Sequence, residues 1–339
     1  MAIIVQKFGG TSVATPEARK ALLDQVKRCK DEGNDVVIVV SAMGRSGDPY
    51  ATDTLISIME KVDINIAPRK KDLIISCGEI ISCSLVSHYL ESNGIPSEPL
   101  TGGQAGITTS NNFGNSDVIN MDTTRINNLL NEGKVVVIAG FQGMTVEGEI
   151  TTLGRGGSDT TAVVIGGYLG AQRVDIFTDV PGIAKTDPRV VPSATYLPNV
   201  KCEDMFKLAD NGAKVIHPRA VKAALDFGIP VRVRSTFAGE DLGTLITNEN
   251  FDYDQEIIGI AFEKNAINTR VYILFEEGYK EKIKFDYESY FQGKDLVPQD
   301  TIWNDKELMF TLPTATLGET IQGLYDYLHD SNKVGVNFA

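Results

Sequence analysis

The first residues that could do chemistry are the lysine, glycines and hydroxyls of KFGGTS, residues 7–12. They follow the apolar run Ala2–Val5, which is typical of a buried strand, so residues 7–12 are predicted to form the turn at its carboxyl end. Glycines let backbone N–H groups approach a ligand, hydroxyls add donors, and Lys7 adds a positive charge. The combination suits an anion such as a phosphate. An ordinary strand-to-helix turn is equally compatible, because neither P-loop nor dinucleotide-fold spacing is present.

Similar polar stretches, most of them containing glycine, follow later apolar runs. They are residues 41–44 (SAMG), 76–79 (SCGE), 140–143 (GFQG) and 178–180 (TDV). The carboxyl ends of parallel strands form the edge where open α/β sheets bind ligands. One such stretch is ordinary loop chemistry, but the five together favour a ligand cleft.

A sixth stretch, TTLGRGGSDTTAVV at residues 151–164, contains an arginine among three glycines. Ser158 or Asp159 can cap the helix predicted after it, which would place the positive end of the helix dipole beside Arg155. Arg155 would then serve a carboxylate or phosphate site, the alternative being a solvated surface arginine.

Composition excludes several function classes. The chain has 339 residues, 42% hydrophobic and 23% charged, with a net charge of -13, which disfavours nucleic acid and anionic membranes as partners. Any anionic substrate must therefore be held by local cations. The four cysteines lie mostly in apolar context, which suits buried thiols in a reducing cytoplasm, and they lack C-x-x-C spacing, which argues against a zinc site. No secretory signal or membrane-spanning run is apparent.

Apolar runs alternate with helical patterns, which predicts an α/β sandwich on a largely parallel sheet. The strands are predicted at Ala2–Val5, Val36–Val40, Leu73–Ile75, Val135–Ala139, Val174–Phe177 and Val231–Val233. The helices are predicted at Pro16–Lys30, Ile80–Glu91, Asp159–Leu169 and Met205–Phe227, the last with a break near Gly212. Residues 144–152 are predicted to form a hairpin.

The pattern changes near residue 250, at the acidic stretch NENFDYDQE. We therefore predict one domain over residues 1–250 and a small α+β domain over 251–339. The second has apolar runs at 257–262, 269–275 and 308–312 and a helix at Leu317–His329, while residues 280–301 show no clear amphipathic helix.

An ordered set of motifs carries a resemblance to a known family. KFGGTSV, VVSAMGRSGDPYATDTL, SCGE, GFQG, TTLGRGGSD, FTDVPGI, TDPR, NGAKVIHPRAV and IPVRVRSTF resemble the aspartokinases of the amino-acid kinase superfamily over roughly residues 1–250. The long loop SAMGRSGDPYATDTL is most similar to aspartokinases of Gram-positive bacteria. The resemblance implies an amino-acid kinase-like three-layer sandwich, a cytoplasmic location and a homodimer.

The implied reaction is transfer of the γ-phosphoryl group of ATP to the side-chain carboxylate of L-aspartate, giving 4-phospho-L-aspartate, the first step of the aspartate-family amino-acid pathway. An aspartate carboxylate with an ordinary pKa near 3.9 is ionised at neutral pH and needs no general base. The reaction needs in-line positioning and cations that bring two anions together.

The resemblance implies catalytic roles for Lys7, Lys214, Arg155 and Asp159, the two lysines bracketing the phosphates. The residues expected to bind ATP are Lys7, Gly9, Gly10, Thr11, Ser12, Ser41, Thr178, Asp179, Lys185, Arg189, Lys214 and Val215. Mg²⁺ is expected to arrive with ATP and to keep several waters, with no protein metal cage. The family often has a tyrosine where Ala184 stands, and Lys185 is expected to substitute for it in part.

For the amino acid, Arg155 is expected to bind a substrate carboxylate and Glu79 its ammonium group. The rest of this pocket is expected to consist of Thr52, Gly156, Gly157, Ser158 and Asp159. The loop of residues 44–51 has the glycine and proline content of a mobile lid.

Two alternatives remain open at this point: a kinase for another amino-acid or carboxylate substrate on the same fold, and a non-catalytic regulatory paralogue. Residues 257–339 resemble the first and last parts of one ACT module. A shortened, divergent ACT-like domain is therefore expected, with weak or no feedback by lysine and threonine.

Overall fold

The computed structural model describes residues 1–237, 239 and 242–329. The chain divides into two compact units. The first contains Met1–Gly182 and Ile216–Asn248, and the second contains Ile183–Val215 and the chain from Glu249 onward. Residues 183–215 thus pack with the C-terminal segment. The assignment of functional domains to residues 1–250 and 251–339 stays a prediction.

The elements are numbered along the chain. The strands of the first unit are β1 (Ile3–Phe8), β2 (Asp35–Val40), β3 (Ser97–Leu100), β4 (Ile107–Thr109), β5 (Val118–Met121), β6 (Val135–Ala139), β7 (Gln142–Met144), β8 (Ile150–Thr152), β9 (Arg173–Thr178), β11 (Val231–Ser235) and β12 (Thr244–Thr247). Its helices are α1 (Gly10–Ala14), α2 (Pro16–Asp31), α3 (Thr52–Glu60), α4 (Pro68–Ser92), α5 (Thr124–Asn131), α6 (Gly157–Leu169) and α8 (Pro218–Phe227).

The central sheet of the first unit runs β12-β11-β9-β1-β2-β6-β3. Every pair in this run is parallel except β11 with β12, which is antiparallel. The strands in the middle are apolar along their whole length, as in β2, because both faces of the sheet are covered. This confirms the predicted largely parallel sheet.

Helices cover both faces of this sheet. On one face, Ile4 and Phe8 of β1 join a buried cluster with side chains of α2 and α4. On the other face, Gly166 of α6 lies so close to Val174 of β9 that an added Cβ would be 2.6 Å from a valine methyl. The predicted three-layer sandwich is therefore confirmed. A smaller sheet, ordered β5-β4-β7-β8, contains the predicted hairpin as β7 and β8.

The predicted strand at Leu73–Ile75 is wrong, because these residues lie inside α4, a helix of 25 residues that also includes the predicted helix Ile80–Glu91. SCGE is thus not a strand-end loop but the middle of a helix. A short apolar run cannot distinguish a strand from a buried helix segment. Pro68 at the first turn and burial at Asp72, Ile75, Ser76 and Glu79, the spacing of one helical face, mark the helix.

By length and composition α4 could also span a membrane, since 18 of its residues reach a mean hydropathy of 1.5. Half of that window is buried inside the structure, and the buried side includes the acidic Asp72 and Glu79. The buried core helix of a folded domain meets the same criterion, and the packing of α4 against the sheet fits that description.

Two other expected boundaries differ. β1 continues to Phe8, so Lys7 lies on the strand and only Gly9 separates β1 from α1. The break predicted near Gly212 within Met205–Phe227 is confirmed, but it extends over residues 211–217, and the second helix begins at Pro218, where proline is favoured.

The second unit is an α+β domain. Its elements are β10 (Asn199–Lys201), α7 (Cys202–Asp210), β13 (Ile257–Lys264), β14 (Asn268–Phe275), α9 (Lys280–Phe291), β15 (Gln299–Trp303), β16 (Glu307–Pro313), a 3₁₀ turn (Thr314–Thr316) and α10 (Leu317–His329). An antiparallel sheet runs β13-β14-β16-β15.

The core of the second unit corrects one expectation. Residues 280–291 form α9, although its apolar side chains do not follow a simple stripe. The helix is anchored by Ile283, Tyr287 and Tyr290, which pack into the same cluster as Ile321 of α10. The three anchors have the spacing of one helical face, but two of them are tyrosines that stand among charged residues, so the apolar face is not evident in the sequence.

Leu73 and Ile75 give a test of the α4 assignment. In a strand they would share a face, but in α4 they are about 200° apart, and Leu73 is 56% exposed while Ile75 is 5% exposed. We expect Ile75→Ala to lower the free energy of unfolding by about 2–4 kcal/mol and Leu73→Ala by less than about 0.5 kcal/mol. Urea unfolding followed by circular dichroism measures both, and equal large losses would favour the strand.

Candidate active site

A salt bridge joins the end of β1 to the start of α6. The Nζ atom of Lys7 lies 2.7 Å from Oδ1 of Asp159, and the two side chains are 12% and 15% exposed. Asp159 stands in the first turn of α6, where the helix dipole favours a carboxylate. The lysine ammonium is therefore held in one place beside a helix N-terminus, which is a position suited to an anion.

The glycines of KFGGTS allow close backbone approach. A Cβ on Gly10 would lie 2.5 Å from the Ala42 carbonyl oxygen, so only glycine fits there. The Gly9 N–H donates to the Phe177 carbonyl at 3.3 Å. The Ser12 hydroxyl is buried and lies 2.6 Å from the Thr236 hydroxyl, so in the structure its hydrogen bond is internal.

Two further residues of the expected phosphate site lie near this turn. Thr11 is half-buried on α1, directly before Ser12. Ser41 follows β2, and its N–H donates to the Phe8 carbonyl at 3.1 Å. The carboxyl ends of β1 and β2 are therefore adjacent, because the two strands pair in parallel.

The loop before α6 is shaped by its glycines. Gly154 and Gly156 adopt φ values of 75° and 65°, a conformation that favours glycine. A Cβ on Gly156 would lie 2.1 Å from Cβ of His217, and one on Gly157 would lie 2.6 Å from the Phe141 ring. The loop thus has no room for side chains other than that of Arg155.

Arg155 is exposed and has no ion pair within the described part of the chain. Gly156 is the N-cap of α6 and makes no side-chain cap, so the prediction that Ser158 or Asp159 caps the helix is wrong. The first backbone N–H groups of α6 are left without a capping side chain. Ser158 is 8% exposed. A free guanidinium beside an uncapped helix start can bind a carboxylate or a phosphate.

Glu79 is a buried carboxyl group with one satisfied oxygen. Its Oε1 accepts the Ala42 N–H at 3.0 Å, while Oε2 is buried without a hydrogen-bond partner among the described residues. Desolvation raises the pKa of Glu79 to about 8. Because an ionised carboxylate would be costly here without a counter-charge, the open oxygen is suited to a cationic ligand.

The loop between β2 and α3 is joined to the end of β9 by an ion pair that sequence reasoning missed. Arg45 Nη2 lies 2.7 Å from Oδ2 of Asp179, and both side chains are more than half exposed. Thr178 donates to Oδ1 of Asp179 at 3.2 Å. The loop also has internal hydrogen bonds, such as Gly47 N–H to Thr54 at 3.2 Å, and Thr52 begins α3.

Four of the residues that are expected to bind the nucleotide belong to the second unit. Lys185 is 5% exposed, and desolvation lowers the pKa of its ammonium group to about 8. Its Nζ lies 3.4 Å from Nε2 of His329. Arg189 pairs with Asp187 at 2.6 Å, Lys214 is exposed, and Val215 is half-buried.

Two polar residues that sequence reasoning did not assign support the arginine loop. Asp72 of α4 is fully buried and hydrogen-bonds to Thr152 at the end of β8. Arg219 of α8 donates to the carbonyl of Leu153, the next residue along the chain. Asp72 could have been found from its spacing to Glu79, had residues 68–92 been predicted as one helix.

Among the described residues, no group of three histidine, cysteine, aspartate or glutamate side chains could hold a metal ion. A divalent cation with few protein ligands would be coordinated largely by water and by phosphate oxygens. Of the four cysteines, Cys29, Cys83 and Cys202 are buried in the structure, whereas Cys77 is exposed.

Comparisons with known proteins point to one family. Residues 2–235 match the profile of the amino acid kinase family. Aspartokinase 1 of Bacillus subtilis is 46% identical over 277 residues, covering 80% of this chain and 68% of that protein. The aspartokinase of Geobacillus stearothermophilus is 41% identical over 330 residues, covering 96% of this chain and 79% of that protein.

Solved structures agree. The aspartate kinase from Synechocystis is 37% identical with a TM-score of 0.65, covering 94% of this chain and 54% of that one. Escherichia coli aspartokinase III in complex with aspartate and ADP has a TM-score of 0.80 and covers 96% of this chain and 99% of that one, and at 21% identity it supports the fold alone. The chain belongs to the amino acid kinase family and, within it, to the aspartokinases.

Proposed function

We propose that the chain transfers the γ-phosphoryl group of ATP to the side-chain carboxylate of L-aspartate, forming 4-phospho-L-aspartate. The observation that carries this proposal is the salt bridge of Lys7 to Asp159 in the first turn of α6, the helix that begins two residues after Arg155, which has no ion pair among the described residues. Family membership supports the substrates, since the named relatives are aspartokinases.

The lysines act on the phosphoryl group. Aspartate at neutral pH already presents an ionised nucleophile, so the barrier arises from bringing two anions together and from charge on the transferring group. Lys7, oriented by Asp159, offsets that charge without reorganising during the reaction. Lys214 of the second unit is proposed to supply the other cation.

The amino acid is held at its two ends. Arg155 binds a carboxylate in two-pronged geometry, and the open Oε2 of Glu79 accepts the ammonium group. Thr52, Gly156, Gly157 and Ser158 complete the pocket.

The nucleotide side uses backbone amides and exposed polar groups. Gly9, Gly10, Thr11, Ser12 and Ser41 are proposed to surround the phosphates, and Thr178, Asp179, Lys185, Arg189 and Val215 to hold the nucleoside. Bound Mg²⁺ would neutralise phosphate charge, with Asp179 as the exposed carboxylate at this strand end. Tyr196, paired across from Ala184 and 42% exposed, offers an aromatic ring where Ala184 has none.

The reaction is tested by trapping. Purified protein with ATP, Mg²⁺ and aspartate in hydroxylamine should give aspartate β-hydroxamate in step with ADP. Glutamate and N-acetylaspartate serve as comparison substrates. ADP release without a hydroxamate, or faster turnover of another carboxylate, would reject aspartate as the substrate.

Lys7→Ala should lower kcat about ten- to a thousandfold, and the KM for aspartate should change little, because the charge matters most in the transition state. Lys20→Ala, an exposed lysine on α2, is the matched control. Steady-state coupled assays measure both constants. A Lys7→Ala enzyme with normal turnover would remove Lys7 from the catalytic group.

Arg155→Lys keeps the charge and loses the two-pronged geometry, so the KM for aspartate should rise at least about tenfold while the KM for ATP stays within about twofold. Arg125→Lys on α5, also exposed, is the control. Should the ATP constant rise instead, Arg155 would belong to the nucleotide site.

Glu79 predicts a pH dependence. Its pKa of about 8 means that below pH 8 the group is mostly protonated before the substrate binds, and ammonium binding requires its ionised form. The KM for aspartate should therefore fall about tenfold per unit as the pH rises from 6 toward 8, then level off. Glu79→Gln should remove this slope, and a wild-type KM that is flat over the range would contradict the assignment.

Two further expectations stay predictions. The first is weak or absent feedback inhibition by lysine and threonine, and the second is assembly as a homodimer. Lysine, threonine and methionine, alone and in pairs, are titrated at subsaturating aspartate, and strong inhibition at millimolar concentration would contradict the first. Sedimentation of the purified protein measures the second.

A further inference from the structure

Asp72 makes an unusually complete set of hydrogen bonds for a buried carboxylate. It is 0% exposed, its Oδ2 accepts the N–H of Gly114 at 2.9 Å and that of Thr152 at 2.8 Å, and its Oδ1 accepts the Thr152 hydroxyl at 2.8 Å. These bonds tie α4 to the end of β8. Hydrogen bonds to a carboxylate are short and directional, so they hold the end of β8 in a fixed position relative to α4.

The segment held by Asp72 leads directly to Arg155. Thr152 is the last residue of β8, and only Leu153 and Gly154 separate it from Arg155. On the other side, Arg219 donates to the Leu153 carbonyl. The same guanidinium also donates to Oδ1 of Asn115 at 2.9 Å, and an added Cβ on Gly154 would meet that oxygen at 2.6 Å. The base of the arginine loop is therefore fastened from two directions.

The same helix carries Glu79. Glu79 is seven positions after Asp72, which is nearly two helical turns, so both side chains project from one face about 10.5 Å apart along the axis. Both are buried, and Glu79 is itself fixed by the Ala42 N–H at 3.0 Å. α4 thus connects the group proposed for the ammonium to the loop proposed for the carboxylate.

We propose that Asp72 is a positioning residue for amino-acid specificity: through α4 and β8 it sets the spacing between Glu79 and Arg155. The assignment rests on the proposed function of that site. The ligands selected are α-amino dicarboxylates whose ammonium and carboxylate groups span this fixed separation. With a flexible loop, a ligand that carries only the ammonium or only the carboxylate would lose little affinity. With a fixed spacing, a ligand that uses both groups binds more tightly.

A double-mutant cycle on the KM for aspartate tests the proposal. Asp72→Ala alone should raise this KM about three- to thirtyfold with the KM for ATP within about twofold, and Glu79→Gln alone should also raise it. Once Glu79 no longer binds the ammonium group, the distance between Glu79 and Arg155 no longer affects the binding of aspartate. The double variant should therefore show much less than the product of the two single effects.

Milder variants cover the case in which Asp72→Ala does not fold. Thr152→Val removes one bond to Asp72 and should raise the KM for aspartate about threefold, while Thr152→Ser should restore it. Ser87→Ala is the matched control, because Ser87 lies on the same helix, 3% exposed, and its hydroxyl bonds to Ser97 at 2.8 Å on β3. It should lower thermal stability like Thr152→Val and leave both KM values unchanged.

The possible results distinguish a failure of the positioning role of Asp72 from a failure of the proposed function. Multiplicative effects in the cycle, or equal rises in both KM values for Thr152→Val, would overturn the positioning role while leaving the kinase intact. A wild-type protein that neither forms the hydroxamate nor binds aspartate by calorimetry would overturn the proposed function and this assignment together.

Discussion

The salt bridge between Lys7 and Asp159 is the interaction on which the rest of the site depends. It joins the first strand of the sheet to the helix that follows the arginine loop, and it places a cation beside an uncapped helix start. In a chain of net charge -13, an anionic ligand can be held only where positive charge is fixed locally. The sandwich provides that fixed position because β1 lies in the middle of a parallel sheet, with β2 and β9 on either side.

Close packing explains why the surrounding loops contain so many glycines. Gly10, Gly156 and Gly157 each stand where a Cβ would overlap a neighbouring carbonyl or side chain. The backbone can therefore approach the proposed site closely, and Arg155 and Glu79 are the side chains proposed to bind the amino acid there. Glu79 is buried with one oxygen that has no hydrogen-bond partner among the described residues, so its ionised form is costly without a cationic partner. This is the physical reason for proposing that Glu79 selects a ligand with an ammonium group.

Much of the catalytic fold could be predicted from the sequence because apolar runs such as Val36–Val40 and Val135–Ala139 are long enough to be buried strands, and because glycine-rich stretches follow them. The prediction of a strand at Leu73–Ile75 was wrong because three consecutive apolar residues are compatible with either a strand or a helix. Helix α9 was missed because two of the three side chains that anchor it, Tyr287 and Tyr290, are tyrosines that stand among charged residues. The cap at Gly156 required a backbone conformation that the sequence GRGGSD does not specify.

Sequence reasoning proposed charged groups for the site but did not identify the residues that hold the arginine loop. Lys7, Arg155 and Asp159 stand in motifs with recognisable chemistry. Asp72 accepts hydrogen bonds from Thr152, and Arg219 donates one to the Leu153 carbonyl, and both partners are distant in sequence. Such partners follow from tertiary packing, and no local pattern reports them.

The central claim is that Asp159 orients Lys7 for phosphoryl transfer, and the most direct measurement is the single-turnover rate of acyl-phosphate formation by the Asp159→Asn variant. With saturating ATP and aspartate, the account predicts a rate at least about tenfold below that of the wild type, with both dissociation constants within about threefold. An unchanged single-turnover rate would contradict it.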